Sequence, residues 1–256
     1  MASGVNLVIS SRENKTYKLL RQLTQKKFRQ ELGLVIIEDT NAPSYVKNVV
    51  EIIVREDRVK EYEKKVLHLG AKISIFALEL FKSVSTLENS HGLIFIVKVP
   101  MEKKITHSKI FVLDEIQDPG NMGTIIRTLD ALNFTQVILI KGCVDIWNEK
   151  CVRGAMGSLF HVDIHSYERA KAIEFLQKEG YHIYATTLSE RSISHFTLKL
   201  AEKCAFVMGN EGQGVSGSFL DVADTHVKIV MYGKAESLNV GVATAVLGYE
   251  VRRCLL

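Results

Sequence analysis

Short apolar runs and amphipathic stretches alternate along the 256-residue chain in two blocks, and any fold must satisfy that alternation. In the first block, residues 34–37, 51–54, 72–76 and 92–97 read as strands, with helices expected at 17–30, 45–50, 56–69 and 77–84. The helix over 17–30 carries Leu19, Leu20, Leu23 and Phe28 among basic residues and stops near Gly33; the charged helix over 56–69 stops at Gly70. In the second block, residues 110–113, 136–140, 162–164, 183–186, 204–208 and 226–230 read as strands, with helices at 121–132, 151–157, 167–179 and 237–253. Such spacing implies an α/β fold with a mostly parallel sheet in this block. Pro100 and the polar stretch EKKITHS (102–108) interrupt the pattern between the blocks. The expected organisation is therefore a small α/β domain over 1–100, a linker over 101–108, and a larger α/β domain over 109–256.

Composition narrows the function classes. The longest apolar runs fall far short of the ~20 residues that cross a bilayer, so no membrane span is expected. Residues 1–9 lack a basic region followed by a long apolar stretch and a small-residue cleavage site, which makes the cytoplasm the expected compartment. Cys143, Cys151, Cys204 and Cys254 are scattered without a C-x-x-C pair, so they read as buried free thiols rather than a zinc site or a disulfide framework. His161 and His165 lie on a strand-like stretch with no acidic or thiol partner at ligand spacing, and no metal is expected. Residues 1–108 carry a net charge of +6 and residues 109–256 a net charge of −2. Lys15, Lys18, Arg21, Lys26, Lys27 and Arg29 form one basic cluster able to neutralise phosphates. A second cluster, Arg55 to Lys65, is interleaved with Glu56, Asp57, Glu61 and Glu63 and reads equally well as a solvated helix face.

Three loops carry chemistry. Residues 118–127, DPGNMGTIIR, join a strand to a helix, where open parallel sheets form their ligand crevices. Asn121 is suited to cap that helix, and Arg127, next to Ile125 and Ile126, reads as a cation on an apolar face that a carboxylate or phosphate must meet. Residues 209–217, GNEGQGVSG, contain G-x-G-x-x-G at Gly212, Gly214 and Gly217. They follow the fifth strand of their block rather than the first, open too short a helix, and include Glu211, which repels phosphate; a dinucleotide site is disfavoured. Gly209, directly after the strand, leaves room for a flat ligand against the backbone. Residues 229–243, IVMYGKAESLNVGVA, read as a strand end, a loop and a helix start, with Ser237 as the cap and Asn239 as a hydrogen-bonding residue in the first turn.

In this order, N-x-G-x-x-x-R (121–127), G-N-E-G-x-G (209–214) and E-S-L-N-V-x-x-A (236–243) resemble the motifs of the SpoU (TrmH-like) branch of the SPOUT methyltransferases, over nearly all of residues 109–256. VRGAMGSLF (152–160) is similar to the family's R-A-S-M-G-A-L-F segment, and residues 1–100 resemble its substrate-recruiting α/β domain in size and layout. The resemblance implies methyl transfer from S-adenosyl-L-methionine to a ribose 2′-hydroxyl of RNA, by a homodimer whose C-terminal domain contains a trefoil knot, a rare exception to unknotted chains. It implies that Gly209, Ile229 and Leu238 line the cofactor pocket, with Thr187 and Asn210 nearby. Arg127 is expected to position ribose and phosphate and to take part in removing the hydroxyl proton, oriented by Asn121, while Glu211, Ser237 and Asn239 keep arginine and ribose in register. Arg153, and Lys26, Lys27 and Arg29 of the basic cluster, are the expected RNA contacts. Ribosomal RNA is the expected substrate, with transfer RNA the alternative, and no metal takes part. Two departures stand out: Ile229, Val230, Met231 where the family often has I-P-M, and Ile37, Glu38, Asp39 where V-E-G is common. A non-catalytic RNA-binding protein on the same fold is the competing class; the joint presence of Asn121, Arg127, Glu211, Ser237 and Asn239 favours catalysis.

Overall fold

The computed structural model describes residues 7–256, so the part of the opening stretch before Leu7 lies outside the described residues. Two compact units divide the chain, Met1–Met101 and Glu102–Leu256.

In the first unit the described residues form a four-stranded sheet of β1 (Leu34–Ile37), β2 (Val49–Arg55), β3 (Lys72–Phe76) and β4 (Leu93–Lys98), ordered β1-β4-β2-β3. The β2–β3 pair is parallel and the other pairs antiparallel. The single helix expected over 17–30 is two, α1 (Lys15–Leu23) and α2 (Lys26–Leu32), with extended backbone at Gln25 between them. Leu20 and Leu23 of α1 bury against Ile53, Phe76, Ile94 and Ile96, whereas α2 buries no residue, so no continuous apolar stripe holds one straight helix. The helix expected over 45–50 is absent. A short 3-10 turn, Ala42–Ser44, stands before it, and Val49 and Val50 instead extend β2, as suits β-branched residues leading into an apolar run. Two further helices, α3 (Val59–Val66) and α4 (Leu78–Lys82), complete the unit.

The second unit is a seven-stranded sheet of β5 (Lys109–Leu113), β6 (Gln136–Ile140), β7 (Asp163–Tyr167), β8 (His182–Thr186), β9 (Ile193–Ser194), β10 (Cys204–Met208) and β11 (Thr225–Lys228). Their order is β7-β6-β5-β10-β8-β11-β9, and every pair among the described residues is parallel. Alternate side chains serve two cores. Phe111, Leu113, Phe206 and Met208 face α5 (Pro119–Ala131), α6 (Glu149–Ala155) and α9 (Val240–Arg253), whose Ile125, Ile126, Cys151 and Leu247 are fully buried. Ile110, Val112, Ala205 and Val207 face α7 (Arg169–Lys178) and α8 (Gly217–Val222) through Ala172, Leu176 and Phe219. Burial of both sheet faces explains why these strands read as continuous apolar runs rather than alternating ones.

The polar stretch after Met101 lies against this unit. Gln136, almost fully buried, accepts hydrogen bonds from the Thr106 and His107 N–H groups at 2.8 Å each and donates to the Lys104 carbonyl at 3.0 Å. Such closure satisfies an amide that the strand would otherwise bury unpaired. Of the four free thiols, Cys151 and Cys204 are buried, while Cys143 and Cys254 are half-buried.

Candidate active site

The carboxyl ends of β5, β10, β8 and β11 lie side by side, and the three motif loops leave from this edge of the sheet. The first motif opens α5. Asp118, in extended conformation before Pro119, is the helix cap: its carboxylate accepts the Asn121 N–H at 2.8 Å. An aspartate before a proline is a strong start signal, and it displaces the expected cap, Asn121, to the third helical position. The displacement frees the Asn121 side chain. Its Nδ2 donates to Glu211 Oε1 at 2.9 Å, and its Oδ1 accepts from Asn239 Nδ2 at 2.9 Å. Asn239 in turn accepts the Gly241 N–H at 2.9 Å and the Val242 N–H at 3.4 Å, so it, and not Ser237, caps α9. One hydrogen-bonded run therefore joins residues 118 positions apart and contains a side chain from each motif.

The second motif closes on itself. Asn210 and Gly214 exchange both backbone hydrogen bonds at 2.9 Å, Asn210 Oδ1 accepts the Gly212 and Gln213 N–H groups, and its Nδ2 donates to the Glu115 carbonyl at 2.8 Å. Gly209 is required by this closure. A Cβ there would lie 2.1 Å from both the Gly214 carbonyl carbon and the Val215 nitrogen, so the loop's own returning strand, rather than a ligand, fills the space its missing side chain leaves. Asp114, 1% exposed at the end of β5, accepts the Ser216 N–H at 2.8 Å and pairs with Arg169, which also reaches Glu115 at 2.6 Å. This support went unread in the sequence, although Asp114 and Glu115 directly after an apolar strand were a signal.

Arg127 differs from expectation. Met122, Ile125, Ile126 and Leu129 make the buried face of α5, whereas Arg127 is exposed on the opposite side with Thr124. Each residue turns ~100° around a helix, so neighbours in sequence are not neighbours on a face. No described residue pairs with its guanidinium. Ser237 and Leu238 are exposed, Ile229 and Thr187 half-buried, and the Thr187 N–H donates to the Val227 carbonyl at 3.0 Å. Among the described residues, none hydrogen-bonds to the backbone of residues 230–238, although Val230 and Met231 are half-buried. Arg153 is exposed on α6. Lys26 and Lys27 are exposed on α2 of the other unit, and Arg29 there donates to the Leu23 carbonyl at 2.7 Å.

Electrostatics favour positioning over thiol chemistry. Burial pushes the Cys143 thiol up to about 11 and the Cys151 thiol up to about 12, so neither offers a thiolate near neutrality. The Asn121 N–H, followed by Lys150, holds the Asp118 carboxyl below its ordinary value. The structure gives His161 and His165 carboxylate partners from distant elements, Asp130 at 3.0 Å and Glu102 at 2.9 Å. No group of three His, Cys, Asp or Glu among the described residues is placed to hold a metal ion.

Residues 108–249 match the model of the SpoU rRNA methylase family. The chain is 32% identical to a 23S rRNA (guanosine(2553)-2′-O)-methyltransferase, RlmP, of Bacillus subtilis, over 95% of this chain and 98% of that protein. Among solved structures it is similar to an AdoMet-bound rRNA methyltransferase from Sinorhizobium meliloti, with a TM-score of 0.83, 25% identity and 98% of each chain covered. It is also similar to an RNA 2′-O ribose methyltransferase, with a TM-score of 0.81, 26% identity, and 98% and 100% covered. The motifs that meet at Asn121 and the likeness along the whole chain agree: this protein belongs to the SpoU rRNA methylase family.

Proposed function

We propose that the protein is a methyltransferase that moves a methyl group from S-adenosyl-L-methionine to a ribose 2′-hydroxyl of ribosomal RNA. The observation that carries this reading is the Glu211–Asn121–Asn239 run of hydrogen bonds, which ties the three motif loops together at the carboxyl edge of a parallel sheet. That edge is where such sheets bind ligands.

The chain's own groups fit the cofactor. Residues 230–238 follow β11, with Val230 and Met231 half-buried and residues 232–238 exposed, and none of the described residues hydrogen-bonds to their backbone, which leaves N–H and C=O groups open to a ligand. Peptide groups of this kind suit an adenine edge, a ribose diol and an amino-acid head. Thr187, Gly209, Asn210, Ile229 and Leu238 are assigned to this pocket, with Gly209 and Asn210 acting through the loop they close. Bound there, S-adenosyl-L-methionine supplies an electrophilic methyl group on a sulfonium centre. A ribose hydroxyl attacks only as its proton leaves, so the protein must orient the sugar and stabilise charge on its oxygen. Arg127, exposed and donor-only, is assigned to grip ribose and phosphate; a guanidinium stays protonated, so positioning is its main role. Glu211, Ser237 and Asn239 hold sugar and arginine in register, with Asn121 fixing the first and last of these relative to one another.

The same reading includes three further parts. The C-terminal segment forms a trefoil knot, supported by α9 packing against α5 while the strand that feeds it, β11, lies beyond β8 and β10. The protein works as a homodimer, supported by Val242, 48% exposed, and Tyr249, 63% exposed, two apolar side chains two turns apart on α9. Its compartment is the cytoplasm, supported by four unpaired cysteines and by the substrate. Lys26, Lys27 and Arg29 of the first unit and Arg153 of the second are assigned to RNA.

Transfer of tritiated methyl groups to ribosomal RNA tests the reading, with Arg127→Ala as the comparison. Wild-type protein labels the RNA and the variant loses most of that transfer; cofactor binding without labelling of any RNA would defeat the proposal.

A further inference from the structure

We propose that Lys150 is an RNA-binding residue that takes a backbone phosphate beside the target ribose; this rests on the methyltransferase reading above. The placement comes from a close helix crossing. A Cβ at Gly123 of α5 would lie 2.7 Å from the Cys151 carbonyl oxygen and 2.9 Å from Gly154 Cα, so the two glycines let α6 run against the first turns of α5. Lys150 is thereby laid over the start of α5. Its Cε and Nζ stand 3.2 and 3.5 Å from the Cβ position that Gly120 leaves empty.

One donor of this ammonium is in use. Lys150 Nζ reaches Asp118 Oδ2 at 3.1 Å, while the other Asp118 oxygen holds the Asn121 N–H at 2.8 Å. An ammonium has three donors, so Lys150 is able to keep Asp118 and bind a phosphate oxygen at the same time. The pair is exposed, with side-chain accessibilities of 56% and 43%, and by itself contributes little to stability. Its position matters more than its strength. Asp118 and Glu211 are carboxylates flanking Asn121, and an RNA strand approaching that residue meets both. Lys150 offsets the first of them. Arg153, one turn further along α6, and Arg127 on α5 are exposed and pair with none of the described residues. The five groups carry one net positive charge, and two of their three cations, Lys150 and Arg153, lie on α6.

Salt dependence of RNA affinity separates a phosphate contact from a merely structural lysine. Full-length protein is titrated onto an unmodified 23S ribosomal RNA transcript at several potassium chloride concentrations. Lys150→Gln is expected to make the slope of log affinity against log salt shallower by about 0.7 on single-stranded RNA. Over the decade from ~1 M down to ~0.1 M salt, that difference widens the affinity advantage of wild type over Lys150→Gln by about fivefold. Lys150→Arg should retain the wild-type slope, and cofactor affinity of both variants should be unchanged. If Lys150→Gln also lowers the melting temperature, the slope measured below that temperature still decides. An unchanged slope in Lys150→Gln overturns the assignment. Methyl transfer by wild-type protein to the same transcript keeps the two ideas apart: transfer with an unchanged slope refutes Lys150 alone, and absent transfer refutes the methyltransferase reading.

Discussion

Substitution of Gly209 by alanine tests the loop geometry at the centre of the site. The backbone of Gly209 is not in the left-handed region, so the whole cost is steric. The new methyl would stand 2.1 Å from the Gly214 carbonyl carbon and the Val215 nitrogen and 2.4 Å from the Gly214 oxygen, against a practical lower limit of 3.0 Å. The loop must retreat by about 1 Å, and the atoms it meets are backbone, which cannot rotate away. Retreat breaks the paired Asn210–Gly214 hydrogen bonds and with them the turn that places Glu211 beside Asn121. At ~1 kcal/mol per hydrogen bond and ~1–3 kcal/mol for overpacking, the loss is about 3–5 kcal/mol. For a unit of this size that lowers the melting temperature by roughly 10 °C. The same change at Gly217, where a Cβ meets nothing within 4 Å, should be neutral. Calorimetric melting together with titration of S-adenosyl-L-methionine reads both outcomes. Equal melting temperatures and cofactor affinities for Gly209→Ala and wild type would refute the steric account, as would equal damage from Gly217→Ala.

Arg127→Ala should leave the melting temperature within about 1 °C of wild type, because an exposed, unpaired side chain contributes within ~0.5 kcal/mol, while the transfer rate falls by about 100-fold or more. Asn239→Ala should lose ~1 kcal/mol with the cap of α9, whereas Asn239→Asp keeps an acceptor for the Gly241 N–H but no longer donates to Asn121. Chemical denaturation should therefore separate the two variants, and transfer assays should find both impaired. Cys143 and Cys151, raised to about 11 and about 12, stay protonated at pH 8 and should react slowly with a thiol reagent in the folded protein, accelerating only as pH rises toward those values or on unfolding.

Strand positions were highly legible, because burial on both faces leaves uninterrupted apolar runs; β3, β6 and β10 fall at the expected residues. Helix starts were less so. Which of several nearby polar residues caps a helix depends on where the strand before it lets the chain turn, and so Asp118 replaced Asn121 and Asn239 replaced Ser237. The order of the three motifs carried the family, yet not the reason each residue is there. The sequence order could not show that Gly209 makes way for its own loop, or that Asp114 and Arg169, 55 positions apart, support that loop from beneath. Arg127 was placed on an apolar face from its sequence neighbours, while the helical period turns it outward. Contacts between distant segments, and the side of a helix that the core selects, are set by packing rather than by local pattern.

The position of the transferred methyl group tests the central claim most directly. Ribosomal RNA incubated with the protein and S-adenosyl-L-methionine is digested to nucleosides and resolved by mass spectrometry, with a second portion subjected to alkaline hydrolysis. The account predicts a single new nucleoside whose added mass leaves with the sugar when the glycosidic bond breaks, together with one alkali-resistant linkage, both absent with Arg127→Ala. Added mass that stays with the base, at full alkali sensitivity, would contradict it.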